Sequence, residues 1–554
     1  MLKEFTKYLI VTILCSVIVL MFLYLTVRLF LMITASYFWY DKCLGSILLF
    51  AEVFIIVQGI GYLTEVIRVF LRYDLPEQDR PQVPKLKTKP YVAILIPSYK
   101  EPLAVIEETL VGSYNLTYKN KHIFLLDDTR YDLNPHDKKL IKYKQDIEEL
   151  CQKFNINLFR HKWHGAKAGI INDFLKFVEG DKNLEFYFKS FEKSAYTRTK
   201  VLSKPKYIVV LDADQNPFPE FVESLVALSE NDDKIAFVQT PQYYTNFQKN
   251  RIAHAAALQQ IIFYEYICVG KGIKEVIFCC GSNVLIRTEA LLDIGGFDET
   301  SITEDSASSI YFHLRGWKTI YYNKVGVFGK GPEDLGSFFK QQFRWAAGSI
   351  DFFRNIIKCF FKNPLKLSLI RWWEYILSTS FYFSGLVYLI LWVCPILYLL
   401  FGIPTFFASP TIYGVVFLPY IVLSLSTFYW TLRKRHYRTR DLLRGQVLLL
   451  IAFPIFIKAS IYGLFGIRKK FEVTRKKGVC EYPFRKLWPQ LGLGLLCFVA
   501  VIWGINRLFY ESEHFFALLL NIIWTFFNFC IMASVFYFNV PKKIMRKTNL
   551  LGIE

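Results

Sequence analysis

The chain has 554 residues, of which 53% are hydrophobic and 18% aromatic, well above an ordinary soluble protein. A net charge of +20, from 67 Lys and Arg against 47 Asp and Glu, fits either a nucleic-acid binder or basic flanks on membrane helices, and the position of the charges decides between them. Eleven cysteines occur with no CxxC pair and no metal-ligand spacing, several of them inside apolar runs (Cys15, Cys497, Cys530), which argues against a disulfide framework and for reduced packing residues.

In chain order, residues 8–27 are uncharged and long enough to cross a hydrocarbon core of about 30 Å. The apolar run resumes after Arg28 and continues to Tyr40, too long for the core of a cleaved signal peptide, so an uncleaved span is predicted. A second candidate, residues 43–64, carries Glu52 in its middle, which turns one face toward protein or water. These two helices make up a first unit, residues 1–72. No further span is predicted before about Tyr375.

Residues 91–322 alternate short β-rich runs with polar helical stretches. YVAILIPS, HIFLLDD, YIVVLDAD, IAFVQTP and TIYYN are the strand candidates, and this alternation predicts an α/β domain with a mainly parallel sheet, set within residues 85–362. Ligands of such sheets sit at the carboxyl ends of the strands. Two strands end there in carboxylates, at Asp127-Asp128 and at Asp212-Ala213-Asp214. A D-x-D pair can hold a hard divalent cation bridging to phosphate oxygens; the alternative is a pair of turn or capping aspartates.

Farther along, residues 372–432 read as two spans joined by a turn at Gly402, Pro404, Ser409 and Pro410, and two more lie within residues 487–540. Residues 446–467 are apolar but interrupted by Pro454, Lys458 and Gly463. If they lie in the interface, the basic segments 433–444, 468–486 and 542–547 share one side with Lys3, Lys7, Arg68 and Arg72, and the acidic Glu511 and Glu513 fall on the other. A crossing there would break the positive-inside pattern. An interfacial amphipathic helix, six spans in all and cytosolic termini are therefore predicted.

An ordered set of motifs runs through the chain: PSYKEP (97–102), LDD (126–128), AKAG (166–169), DAD (212–214), FCCGSN (278–283), TED (303–305), QQFRW (341–345) and FEVT (471–474). In these the sequence resembles the processive family-2 glycosyltransferases, most closely the bacterial cellulose synthase catalytic subunits. The resemblance implies a cytosolic GT-A-like domain inserted in a helical transmembrane bundle. It implies an inverting polysaccharide synthase of the plasma membrane, with UDP-glucose as donor, a growing β-glucan as acceptor, Mg²⁺ or Mn²⁺ as cofactor, the bilayer as partner and no nucleic acid.

By the same resemblance Tyr99, Glu101, Asp127, Lys167, Asp212 and Arg344 contact the nucleotide, and Asp212 and Asp214 the metal. Asp305, with Glu304 beside it, is the general base that takes the proton of the acceptor hydroxyl; on spacing alone the reading of both acids as first-turn helix residues would prevail. Trp345, Gln341 and Cys280 are expected at the acceptor, with Trp345 as a floor for the sugar. Phe471, Val473 and Thr474 match a gating loop at residues 468–480 that closes over the donor. Trp372, Trp373, Tyr375 and Phe381 read better as interface anchors or packing than as sugar contacts.

Three positions depart from the family pattern: Thr129 follows the Asp127-Asp128 pair where glycine is usual, Gln215 stands where His is frequent, and FEVT continues as RKKG. The sequence ends soon after its last predicted span, so no cyclic-di-GMP-binding domain and no such direct control are expected. A hyaluronan- or chitin-type synthase using UDP-N-acetylglucosamine is the competing enzyme reading. A transporter or scaffold with an inactive domain would lack one of the carboxylates, and none is missing.

Overall fold

The computed structural model describes residues 2–72, 83–193, 203–406, 409–433, 437–467, 480–511 and 514–540. The expected gating-loop residues Phe471, Val473 and Thr474 lie outside these described residues.

The described strands are β1 (Val92–Ser98), β2 (Lys121–Asp127), β3 (Asn157–His161), β4 (Phe186–Ser190), β5 (Tyr207–Val210), β6 (Asn216–Pro217), β7 (Ile235–Gln239), β8 (Tyr243–Tyr244), β9 (Val284–Arg287), β10 (Lys318–Tyr321) and β11 (Val327–Gly329). Eight form one sheet in the order β10-β7-β9-β5-β1-β2-β3-β4, and β6-β11-β8 form a small second sheet. β1 is parallel to both β2 and β5, so the carboxyl ends of all three open on one edge. β9 runs antiparallel between β5 and β7, and β4 is antiparallel to β3; the rest of the large sheet is parallel. The apolar runs of β1 and β5 are buried on both faces, as strands covered by helices on both sides require. The fold is GT-A-like and mainly parallel, with apolar helices at both ends of the chain.

Seven described helices are long and apolar enough to cross a membrane, and the chain is a membrane protein. Six of them fall in the regions where the sequence places spans: Tyr8–Thr34, Trp39–Leu71, Leu369–Phe401, Tyr413–Leu432, Phe484–Leu508 and Phe515–Asn539. The seventh, Arg251–Ile273, also passes on length and composition, but 67% of its most apolar window is buried inside the protein against 22–44% for the others. Its apolar residues are spent on packing against the rest of the protein. Residues 446–467 belong to two helices, Thr439–Leu450 and Phe453–Phe465, bent by 48°. Pro454 stands in the first turn of the second, where its missing N–H is tolerated and its fixed φ suits a fresh start.

Buried charge ties these layers together. Glu374, on the helix Leu369–Ser380, accepts from Lys271 Nζ at 3.0 Å and from Arg68 Nη1 at 2.7 Å. Glu65 also pairs with Arg68. Lys271 and Glu374 are each 2% exposed, a placement that holds only for charges matched by partners.

Candidate active site

Both strand-end aspartate pairs sit on the edge that β1 shares with β2 and β5. Asp127 is buried there. Its Oδ2 accepts from Arg160 Nε and from Tyr131 Oη, both at 2.8 Å, and its Oδ1 accepts from the Thr129 amide at 3.2 Å. The neighbouring Asp128 meets His161 Nε2 at 3.0 Å; burial raises its carboxyl above the usual range against the pull of His161. Tyr99 and Glu101 follow β1 across a left-handed Lys100. Arg130 lies over the Tyr99 ring at 5.7 Å and over the Trp163 ring at 3.3 Å, a stacked wall that the sequence did not reveal because its members come from three loops.

On the other side of β1, Asp212 takes a short hydrogen bond from Lys167 Nζ, 2.5 Å, and Lys167 also donates to the Gly281 carbonyl at 2.6 Å. Burial alone would lower the Lys167 ammonium, but Asp212 and Glu304 hold it above its ordinary value. The FCCGSN loop thus closes on the AKAG turn and on β5, whose following Asp212 amide donates to Ser282 Oγ at 2.8 Å. Gly281 has φ +79°, and a Cβ there would fall 2.2 Å from Asp305 Oδ2. Only glycine lets the carboxylate come so close to the backbone.

Glu304 and Asp305 open the helix Glu304–Leu314. Asp305 Oδ1 accepts from the Ser306 amide at 2.7 Å, and Ser306 Oγ donates to the Cys279 carbonyl at 3.0 Å, so helix start and FCCGSN loop form one piece. Burial, with Asp305 next to it, pushes Glu304 up to about 7. Burial likewise raises Asp305, while Lys167 and Arg344 pull it down. The QQFRW motif lies on the amphipathic helix Leu335–Lys362, capped by Asp334. That helix meets the TED turn at Gly348, where a Cβ would stand 2.2 Å from Thr303 Cγ2. Gln341 Nε2 donates to Tyr244 Oη at 3.2 Å, which also accepts from Gln260 at 2.7 Å. Trp345 is half-buried one residue beyond Arg344, and Cys280 is half-buried on the loop.

Asp212, Lys167, Glu304, Asp305 and Arg344 are therefore one electrostatically coupled group, with Asp214 near Tyr244 beside Arg344. Four carboxylic acids face two cations there, an excess of acidic groups even with Glu304 pushed up to about 7. That balance fits a divalent cation held by Asp212 and Asp214, since hard cations with one or two carboxylates and phosphate oxygens are typical of such sites. A small cavity lined by Tyr243, Tyr244, Gln260 and Tyr264 adjoins Gln341; none of these lining residues stood out in the sequence.

A glycosyl transferase family 2 model matches residues 93–295, and a glycosyl transferase family group 2 model matches residues 207–432. The chain carries a family 2 glycosyltransferase domain. It is homologous to bacterial cellulose synthase catalytic subunits. With that of Pseudomonas fluorescens (strain SBW25) it shares 27% identity over 81% of this chain and 57% of the relative. With the cellulose synthase 1 catalytic subunit of Komagataeibacter xylinus it shares 24% identity over 93% of this chain and 64% of the relative. The chain thus spans less than two thirds of the length of these relatives. Among solved structures, a mannosyltransferase of Pyrobaculum calidifontis in complex with GDP-Man and Mn²⁺ aligns at TM-score 0.47 and 15% identity, covering 77% of this chain and all of that one. Within the family 2 domain, the matched segment of β1 to Gly295 carries the aspartate pairs and the FCCGSN loop, while TED and QQFRW fall in the second match.

Proposed function

We propose that this chain is a membrane-embedded, processive, inverting glycosyltransferase that polymerises glucose from UDP-glucose into a β-glucan and passes it across the plasma membrane. The observation that carries this reading is the contact of Lys167 with both Asp212 and the Gly281 carbonyl while Asp305 stands over the same glycine. A nucleotide-side cation and a carboxylate suited to be a base share one wall.

Tyr99, Glu101 and Asp127 form the base-side wall for uridine, with Asp127 acting through the Arg160 and Tyr131 groups it anchors. Lys167 and Arg344 face the diphosphate, where guanidinium and ammonium offset charge that grows as UDP leaves. A divalent cation at Asp212 and Asp214, Mg²⁺ or Mn²⁺, would supply further charge neutralisation there. Asp305 takes the proton of the acceptor hydroxyl as that oxygen bonds to the anomeric carbon and the bond to UDP breaks. Glu304, kept partly protonated by burial beside Asp305, limits the repulsion between the two acids. Trp345 floors the acceptor sugar, with Gln341 and Cys280 at its edge.

In this reading the catalytic domain is cytosolic, the bent pair of helices at residues 439–465 stays on the cytosolic face, and the spans beyond Leu369 enclose the product. The β-1,4 and mixed β-1,3/1,4 linkages are the products this cleft is proposed to make. Purified protein reconstituted in lipid and given radiolabelled UDP-glucose or UDP-N-acetylglucosamine tests the assignment. Label from UDP-glucose in a long polymer, shown by methylation analysis to carry those linkages and shielded from a hydrolase on the catalytic side, is the expected result. Incorporation from UDP-N-acetylglucosamine alone would make the chain a hyaluronan- or chitin-type synthase instead.

A further inference from the structure

Beside the nucleotide-side wall lies a group of histidines and carboxylates that the reaction above does not use. β3 ends at His161, the turn before AKAG holds His164, and Asp173 lies on the helix Ala166–Glu179. Asp173 Oδ2 stands 2.9 Å from His161 Nδ1 and 2.7 Å from His164 Nε2. The opposite nitrogens also face carboxylates: His161 Nε2 is 3.0 Å from Asp128 Oδ1, and His164 Nδ1 is 2.7 Å from Glu299 Oε2. Glu299 is itself fixed by Asn172 Nδ2 at 2.9 Å, and Asp173 Oδ1 by Lys176 Nζ at 3.1 Å.

A neutral imidazole has one N–H and one lone pair. Each ring here meets a carboxylate oxygen at both nitrogens, so without a cation each lone pair would point at a negative oxygen. Protonating both rings is the alternative: it would set two imidazolium rings with centroids 5.2 Å apart among the carboxylates of Asp128, Asp173 and Glu299. A single divalent cation where His161 Nδ1, His164 Nε2 and Asp173 Oδ2 gather satisfies these contacts with both rings neutral. The remaining N–H groups then point outward to Asp128 and Glu299, the outer-shell arrangement by which carboxylates orient metal-binding histidines.

We propose that His161 Nδ1, His164 Nε2 and Asp173 Oδ2 form a transition-metal site of Zn²⁺ type, distinct from the Asp212–Asp214 pair. Two imidazoles and a carboxylate are a borderline-soft donor set suited to Zn²⁺ rather than Mg²⁺. Asp173 Oδ2 lies 2.9 and 2.7 Å from the two ring nitrogens and all three donor atoms lie within 4.8 Å of one another, so a small side-chain adjustment brings them to the bonds of about 2.0–2.2 Å that one such ion requires. The buried His161 and Asp173 set two corners, and His164, 41% exposed, leaves an entry path and a fourth position for water. The ion joins β3, the AKAG turn that carries Lys167 and, through Glu299, the segment leading to TED. It holds these parts in register and takes no part in bond making.

The full chain, purified in detergent and freed of metal with a chelator, is titrated with Co²⁺, whose visible absorption reports tetrahedral coordination. One Co²⁺ per chain with that absorption, displaced by Zn²⁺, is expected for the wild type and for Asp214→Ala, and at least about ten-fold weaker binding for His164→Gln. Zn²⁺ should raise the melting temperature of the wild type and not of His164→Gln. If His164→Gln fails to fold, Glu299→Gln serves, with affinity reduced about 10- to 100-fold as for other outer-shell changes. Absence of the absorption in the wild type, its loss in Asp214→Ala, or its full retention in both His164→Gln and Glu299→Gln overturns the proposal. A wild type whose stability depends on pH through the imidazoles and is indifferent to Zn²⁺ likewise overturns it, leaving a network of protonated rings.

Discussion

Two strands of the central sheet end in paired aspartates, and the pairs meet opposite surroundings. Asp127, 1% exposed, is bonded by Arg160 and Tyr131, and Asp128 by His161. Asp212 keeps 44% of its side chain exposed where it meets Lys167, and it faces Glu304, Asp305 and Arg344 across the cleft. The same sequence signal thus marks two jobs. In the proposed reading, the carboxylate whose oxygens are filled by protein donors builds the wall, and the one that opens on the cleft is left to ligand and metal.

The comparison breaks most sharply at the open side. Asp305→Asn should lower polymer synthesis by about 10³-fold, within the range of a lost general base, while UDP binding measured by calorimetry stays within a few-fold. Asp214→Ala should lose metal-dependent UDP binding together with turnover. Parallel loss of UDP affinity in Asp305→Asn would sink the division of roles.

On the filled side the expected effect is on stability. Asp127→Asn weakens one of the two carboxylate contacts of the buried Arg160 guanidinium, which keeps Glu148 at 2.7 Å, and a poorly matched buried hydrogen-bonding group costs about 1–3 kcal/mol. A melting temperature well below wild type is expected, whereas Asp212→Asn should melt close to wild type. Equal melting of both variants would show that the pairs do not differ as the geometry states.

The smallest effect is a displacement of the pH profile. Glu304 is raised to about 7 by burial and by Asp305, so folding favours its protonated form; the stability it contributes is present in acid and fades as pH climbs through about 7. The two acids titrate as a pair, and turnover should rise over the same interval as their shared proton leaves. Glu304→Gln removes one of the negative charges, so the inflection in kcat should move toward the ordinary carboxylate range. An unmoved inflection would assign it to another group.

These contrasts also measure what the sequence discloses. The strands that carry Asp127 and Asp212 were legible because long apolar runs followed by carboxylates are local patterns. β3 and β9 were not, since NLFRH and VLIR are short and mixed, and their strand character comes from neighbours in the sheet. The TED and FCCGSN motifs were readable, but their joining through Gly281 is a contact between distant segments. The histidine group escaped for a related reason. His161 and His164 stand near each other in sequence, yet Asp128, Asp173 and Glu299 reach them only in the fold. The helix Arg251–Ile273 is long and apolar enough to cross a membrane yet is mostly covered by protein, a distinction that hydrophobic length alone does not make.

The cluster of Glu65, Arg68, Lys271 and Glu374 imposes an order on biogenesis. Glu65 and Arg68 lie one turn apart and can neutralise each other as soon as their helix leaves the ribosome. Lys271 emerges about two hundred residues later, at roughly 5–20 residues per second, and its counter-charge Glu374 about a hundred residues after that. Until the helix Leu369–Ser380 has been made, Lys271 buried against the membrane helices would have only the attraction of Glu65, already shared with Arg68, and not the acceptor it uses in the fold, a less favourable state for a buried ion. Arrival of Glu374, which accepts from both Lys271 and Arg68, thus works as a latch: the catalytic domain gains its full hold on the bundle only once the chain beyond that domain has been made.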